Sequence, residues 1–320
     1  MKSLRILHHR TEGLRNDAKM IEEVIKEVIK EVNIEKEEYD EIELIRNEER
    51  ILEVVEVQIF LEHIYEKCIN KGRINIYIPN IEWLNVRDYE ITKRNEKIII
   101  FGKTENSIKV LKEHFKNTVI YTRWISKDMY QEDIKEEYSY LHVKGISKYK
   151  QSQKLIDTWL EHEEWPLIHI VSYGNENSNG YIEIRKPIQV AKNIILYQYK
   201  LEEYELKWLM NKCSHHICPS YSEGWGHYIV EGMSCNKVVI TSDLAPMNEH
   251  IKEKTRLIKV NKNLIRNVNL GQGAILEKFE IENAIKNQKK EKGNTREEYK
   301  KMKEEFRKRI EITFKKILKL

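Results

Sequence analysis

Short runs of aliphatic and β-branched residues alternate with amphipathic stretches along most of this chain, and that alternation decides the fold class before any motif is read. A strand covered on both faces shows a nearly continuous apolar run, whereas a covering helix repeats its apolar residues every three to four positions. "LRILHH" (4–9) is the first such run, and Met20, Ile21, Val24, Ile25, Val28, Ile29 and Val32 then recur at helical spacing from Asp17 onward. Strand-like runs follow at "IELI" (42–45), "VEVQIF" (55–60), "INIYIP" (74–79), "KIIIFG" (97–102) and "TVIYT" (118–122), with "NSIKVLKEHF" as a helix before the last. A second series starts beyond the charged stretch "SKDMYQEDIKEE" (126–137). It runs through strand "YLHV" (140–143), a helix over 152–161, strands "PLIHIV" (166–171) and "NIILYQY" (193–199), helix "EEYELKWLMNKC", and strands "HHIC" (215–218) and "KVVIT" (237–241). The pattern is that of an α/β protein with two similar halves, each a parallel sheet covered by helices.

The expected domains are 1–130 and 131–294, with a terminal helix over 295–320. Thr295 and Glu298 are spaced as a capping box, and Tyr299, Met302, Phe306, Ile310, Phe314 and Ile317 form one apolar stripe that must pack on something. The helix's many lysines and glutamates read as a solvated face. The net charge of +4, from 56 basic against 52 acidic residues, demands neither nucleic acid nor an acidic membrane as partner. Cys68, Cys213, Cys218 and Cys235 lack zinc-like pairing and disulfide-scaffold density, and no stretch approaches the roughly 20 apolar residues of a spanning helix. A soluble, cytoplasmic protein is expected. "LHHRTEGLRND", after the first strand, lacks GxGxxG and disfavours a dinucleotide oxidoreductase or epimerase.

The stretch most informative about chemistry is "SEGWGHYIVEG" (222–232). Pro219 and Ser220 end a strand, Gly224 and Gly226 permit a tight turn, and Tyr228, Ile229 and Met233 resume helical spacing. Such a turn delivers a helix N-terminus, whose N–H groups and positive dipole end suit a phosphate or diphosphate. On a helix, Glu223 and Glu231 would stand roughly 12 Å apart, at 1.5 Å per residue. That is too far for the carboxylate pair of a glycosidase, about 5 to 9.5 Å. It suits a ligand with hydroxyls at both ends and phosphates between them, the layout of a nucleotide sugar.

With "CPSYSEGWGHYIVEGMSCNKVVITSDLAPMNE" (218–249) in view, the chain resembles the donor-binding half of GT-B glycosyltransferases, specifically the retaining GT4-like group with its E-x7-E motif. The resemblance spans residues 139–251. In the first half, "IFLEHI", "PNIEWL" and "YLHVKGISKYK" are similar to a branch found in large DNA viruses and some fungi. The resemblance implies two Rossmann-like domains facing a cleft, with a C-terminal helix crossing back to the first. It also implies transfer of a hexose from a nucleotide diphosphate sugar to a hydroxyl of a glycan, protein or lipid acceptor. Retention would proceed without a protein nucleophile, the departing diphosphate oxygen taking the acceptor's proton. No metal and no other cofactor is expected, and the adjacent pairs His8/His9 and His215/His216 read as strand packing.

By the same resemblance, Glu231 receives the ribose hydroxyls and Glu223 lies beside the transferred sugar. Gly224 and the amides near Trp225 and Gly226 face the diphosphate, and Ser222 is a further donor-binding candidate. His227 reads either as a cap on the anion site or as packing. Negative charge growing on the leaving group calls for cations, which the family takes from an arginine and a lysine in the loop after the first strand of the second domain. In "VKGISKYKQ" the lysine falls on Lys150, the arginine position is Ile146, and Lys148 is the candidate substitute, although an ammonium does not reproduce a guanidinium fork. Gly13 (beside Glu12), Asn80, Glu82 and Lys103 sit near expected strand ends and are acceptor or cleft candidates, with ordinary turn chemistry as the other reading. Glu249 falls where the family often has a glutamate near the nucleotide. The Ile146 departure leaves a second class open, a non-catalytic nucleotide-sugar or glycan-binding protein of the same fold.

Overall fold

A computed structural model describes residues 2–40, 43, 52–145, 147–172, 186–288 and 292–319. The strand expected at 42–45 (Glu43 apart), the polar stretch "YGNENSNG" (173–180) that the sequence suggests as a loop, and Ile146 lie outside these residues. β1 (Lys2–His9) buries Leu4, Ile6 and Leu7 and pairs in parallel with β2 (Val32–Tyr39) on one side and β3 (Val55–Leu61) on the other. α1 (Glu12–Val28) starts earlier than its apolar spacing suggests, because the hydroxyl of Thr11 accepts the N–H of Leu14 and caps the first turn. Gly13, expected in a loop, therefore lies in a helix turn, and Val32 begins β2 rather than ending the helix. β2 escapes a reading by alternation because it is an edge strand rich in charge. Its Glu35 and Glu38 pair with Arg5 and Arg15, and its Lys36 with Glu22.

The sheet continues through β4 (Gly72–Ile78), β5 (Ile99–Gly102) and β6 (Val119–Tyr121), with α2 (Val86–Arg94) and α3 (Glu105–His114) between them. Its order is β2-β1-β3-β4-β5-β6. Tyr39, Phe60, Tyr77, Ile100 and Leu111 belong to one buried cluster on this sheet. Beyond β3, His63 Nδ1 lies 2.5 Å from Asp88 Oδ2, and the other oxygen of buried Asp88 accepts the N–H of Ile64 at 3.1 Å. Burial alone would lower the His63 pKa, but the Asp88 carboxylate, helped by Glu62, raises it above the ordinary 6.5. A group raised on folding stabilises fully below its unfolded pKa, and that stability is lost as pH climbs through the folded value. The stability gap between wild type and His63→Ala is thus expected to shrink as pH rises above 6.5. Urea titrations from about pH 5 to about pH 9 that show a constant gap would refute this coupling.

The second sheet runs β13-β12-β11-β7-β8-β10-β9. β7 (Glu137–Val143) lies at its centre, followed by α4 (Ser152–Leu160), β8 (Ile168–Val171), β9 (Ile188–Ala191) and β10 (Ile194–Tyr197). α5 (Glu203–Lys212) then returns the chain to β11 (Cys213–Cys218) on the opposite side of β7. α6 (His227–Ser234), β12 (Val238–Ser242), α7 (Met247–His250) and β13 (Leu257–Ile258) extend that side. β9 pairs antiparallel with β10, and the neighbours from β10 across to β13 all pair in parallel. Tyr140, Trp159, Trp165, Ile217 and Ile240 share its core. β14 (Ile265–Val268) and β15 (Gly271–Ala274) form a separate two-stranded sheet, and α8 (Lys278–Lys286) leads to the long α9 (Arg296–Leu318).

By contacts the chain divides into two compact units, one of Met1–Ser126, Val268–Gly271 and Met302–Leu320, the other of Lys127–Asn267 and Gln272–Lys301. Within the first, Phe306 and Phe314 of α9 meet Trp124 and Phe101 edge to face at 5.3 and 6.4 Å. Within the second, the hydroxyl of Thr295 donates to the carbonyls of Met233 and Lys237, and Arg296 pairs with Asp128 at 2.6 Å.

Candidate active site

In the second sheet, chain order runs outward from β7 through β8 to β10, then restarts at β11 on the other side. The crevice at the carboxyl ends of β7 and β11 is therefore a topological switch point, the place where open α/β sheets bind ligands. The loops beyond those two strands carry the residues read from the sequence as donor-binding and catalytic.

The end of β11 is held by its neighbour. Thr241 and Ser242 of β12 donate their hydroxyls to the carbonyls of Cys218 and Ser220 at 3.0 and 2.6 Å. The turn into α6 then requires a left-handed residue, and Gly226 supplies it at φ +90°. A Cβ there would also come within 2.9 Å of Ile229 Cδ1. The carbonyl of Gly226 starts the helix by accepting the N–H of Ile229 at 3.0 Å, and no side chain caps the helix start. The first amides of α6, with their positive dipole end, thus present donors of the kind that suit an anion. Trp225 is buried, its ring 4.4 Å from that of His250 and its carbonyl accepting His250 Nε2 at 2.7 Å, so it offers backbone rather than indole. Ser222 directs its hydroxyl to the carbonyl of Gln272 at 2.8 Å, which ties the loop to β15. Gly224 is buried in the turn, and His227 is half-buried at the first position of α6.

Lys150 and Glu223 form an ion pair, with side chains 12% and 14% exposed. The hydroxyl of Ser220 donates to the same Glu223 oxygen. Burial by itself would depress the Lys150 pKa. The Glu223 carboxylate outweighs it, with Glu231 adding to the effect, and the ammonium is held well above its ordinary range. Lys150 is therefore a permanent cation. Two buried neighbours of the pair are neutral: burial lowers His142 to about 4, where its ring bridges Ile217 O and Ser152 Oγ, and pushes the Cys218 thiol up to about 11. Lys148, at the start of the same short 3₁₀ turn, is exposed. Glu231 is half-buried in the second turn of α6, and Glu249 lies in α7.

Three contributors escaped the sequence. Ser220 orients Glu223; Gln151 ties the Lys150 turn to two other segments; and β15 forms a wall against the loop. Gly273 of β15 lies so close that a Cβ there would sit 2.3 Å from the Tyr221 ring, and Ala274 N–H donates to Tyr221 O at 2.9 Å. Of these, only Gly273 carries a sequence signal, a glycine in a segment to which the apolar pattern assigns no element.

In the first unit, Asn80 and Lys103 come together beyond β4 and β5. Lys103 Nζ reaches Asn80 Oδ1 at 2.9 Å and Asp17 Oδ2 at 3.0 Å, lies 4.8 Å from the Trp124 ring centre, and is 3% exposed. Asn80 in turn donates to Glu62 at 2.7 Å. Glu82 is buried beside Gly271, its carbonyl accepting Asn269 Nδ2 at 2.6 Å, while Gly13 is exposed with open space around it. Among the described residues, no group of three or more His, Cys, Asp or Glu side chains is placed to hold a metal. His8, His215 and His216 are buried and set against backbone carbonyls. No helix is long and apolar enough to cross a membrane, among the same residues.

Parallel sheets with helix-start loops at the switch point define a Rossmann-like α/β protein of the GT-B class. The model of the family described as "Glycosyl transferases group 1" matches residues 125–309, more than half of the chain, and the chain belongs to that family. Among solved structures it is similar to sucrose-phosphate synthase from Thermosynechococcus elongatus, at a TM-score of 0.69 and 9% identity over 100% of this chain and 98% of that one. It is also similar to Anabaena HepE in complex with UDP and glucose, at 0.61 and 12% identity over 98% and 99%. A UDP-forming trehalose-phosphate synthase from Burkholderia xenovorans follows, at 0.61 and 11% identity over 100% and 99%. No curated protein matches by sequence.

Proposed function

We propose that this chain is a retaining, metal-independent GT4-like hexosyltransferase that takes a nucleotide diphosphate sugar as donor and a glycan, protein or lipid hydroxyl as acceptor, in the cytoplasm. The observation that carries the reading is the half-buried Lys150–Glu223 ion pair beside the uncapped start of α6, at the switch point of the second sheet. Lys150 and the α6 amides stabilise the charge that grows on the departing diphosphate, Glu231 takes the ribose hydroxyls, and Glu223 holds the transferred sugar while orienting Lys150. The acceptor hydroxyl attacks the face the diphosphate leaves, and a diphosphate oxygen takes its proton. Cys68, Cys213, Cys218 and Cys235 are buried and form no disulfide, which suits a reducing compartment.

HepE holds UDP and glucose, and the pneumococcal O-GlcNAc transferase GtfA holds UDP and GlcNAc. Those two complexes make UDP-sugars the first donors to try. A thermal-shift panel of UDP-, GDP- and ADP-sugars tests the reading directly, since a ligand that prefers the native state raises its melting point. Glu231→Ala should abolish most of the shift, losing hydrogen bonds to ligand hydroxyls each worth about 0.5 to 1.5 kcal/mol. Glu223→Gln should keep the shift and lower transfer. Equal, negligible effects of both would refute the assignment of the two carboxylates, and a donor shift without any nucleotide release would favour the non-catalytic binding protein.

A further inference from the structure

We propose that Gln151 is the positioning residue for Lys150, an inference that rests on the role proposed for Lys150 at the leaving group. Gln151 is left-handed, at φ +46° and ψ +34°, between the 3₁₀ turn that carries Lys150 and the start of α4. Glycine enters that region freely and a residue with a side chain does not. Strained backbone of this kind persists only where its surroundings over-determine it, and such positions cluster at functional sites.

Here the surroundings are the residue's own amide. Nε2 donates to Pro219 O at 3.0 Å and to Ala274 O at 3.2 Å, and Oε1 accepts the N–H of Leu276 at 3.0 Å. Both amide donors are spent on backbone carbonyls, so Gln151 is built to hold structure rather than to touch a ligand. What it holds is specific. Pro219 precedes Ser220, whose hydroxyl orients Glu223, and Ala274 is bonded through its N–H to Tyr221. On the other flank of Lys150, the carbonyl of Tyr149 accepts the N–H of Tyr221 at 2.5 Å. The backbone on both sides of Lys150 is thereby fastened to the 219–223 segment that carries its partner.

A lysine side chain is long and flexible, and its catalytic value depends on where its base is fixed. Misplacing a catalytic group by about 1 Å can cost about 100-fold in rate. Two substitutions separate positioning from general stability. Gln151→Gly keeps the left-handed turn and removes all three bonds. Gln151→Asn also tolerates that turn but is one methylene too short to span Pro219 and Leu276.

Turnover is read as nucleotide release from the best donor of the panel, UDP-glucose in the first instance, and UDP affinity by calorimetry. Both variants are expected to lose about 10- to 100-fold in kcat while binding UDP within about threefold of wild type. In a Lys150→Ala background, Gln151→Gly should cost much less than it does in wild type, because the ammonium it positions is gone and only the Glu223 segment remains to be held. Undiminished kcat in either variant overturns the proposal. So does a loss that multiplies with that of Lys150→Ala, or a fall in UDP affinity in step with the rate. If Lys150→Ala alone retains full turnover, the reading of the site fails first; an inactive Lys150→Ala beside a fully active Gln151→Gly removes only the proposal.

Discussion

Lys150→Ala is expected to slow donor turnover by about 100- to 1,000-fold, the range seen when a single preorganised charge or donor is removed from a developing oxyanion. Three features of the site justify so large a figure. The ammonium is largely shielded from water, at 12% exposure, so its field acts through a low local dielectric. The adjacent Glu223 keeps it charged against the desolvation that would otherwise discharge it. Its partner Glu223 lies in the turn that leads into the uncapped start of α6, where backbone amides offer an anion only partial charge. The loss should appear in kcat, with donor KM changing much less, if the cation matters chiefly to the leaving group. Nucleotide release at the wild-type rate would show that the loop after β7 had been matched to the wrong lysine.

Lys103→Met carries the largest expected effect on stability, a loss of about 3 to 5 kcal/mol, the range for breaking a buried ion pair from one side. Asp17 and Lys103 have side chains only 2% and 3% exposed. Removing the ammonium takes away the cation 3.0 Å from the buried Asp17 carboxylate, while Trp124 Nε1 still donates to it at 3.0 Å. Asn80 Oδ1 loses the same partner. The midpoint of urea unfolding measures this, compared at constant m-value. A loss below about 1 kcal/mol would place the pair among solvent-exposed ones and refute its role in the core.

Legibility varied with how local the cause was. Buried strands such as "INIYIP" and "KVVIT" announced themselves because parallel strands covered on both faces are apolar throughout. β2 did not, since an edge strand is free to carry "NIEKEE" and satisfy its charges with Arg5, Arg15 and Glu22. The start of α1 was misread because a cap is one hydroxyl at Thr11, invisible to apolar spacing. At the site, the glycine-bracketed turn and both glutamates were legible, but their relations were not. Glu223 and Lys150 are 73 positions apart in the chain, and no local pattern announces their ion pair. Gln151 and Ser220 look like ordinary polar loop residues until the segments they tie together are seen.

Taken alone, the sequence determined the fold class, the two-part organisation and the turn that opens α6. These follow from apolar periodicity and glycine placement, which act over a few residues. Only the tertiary structure decided that Lys150 is shielded, charged and held by Glu223, that Gln151 fastens its turn, and that Lys103 is locked in the core of the first unit. Those outcomes depend on burial and on partners distant in sequence, because the strength of a charge and the position of a side chain are set by what surrounds them after folding.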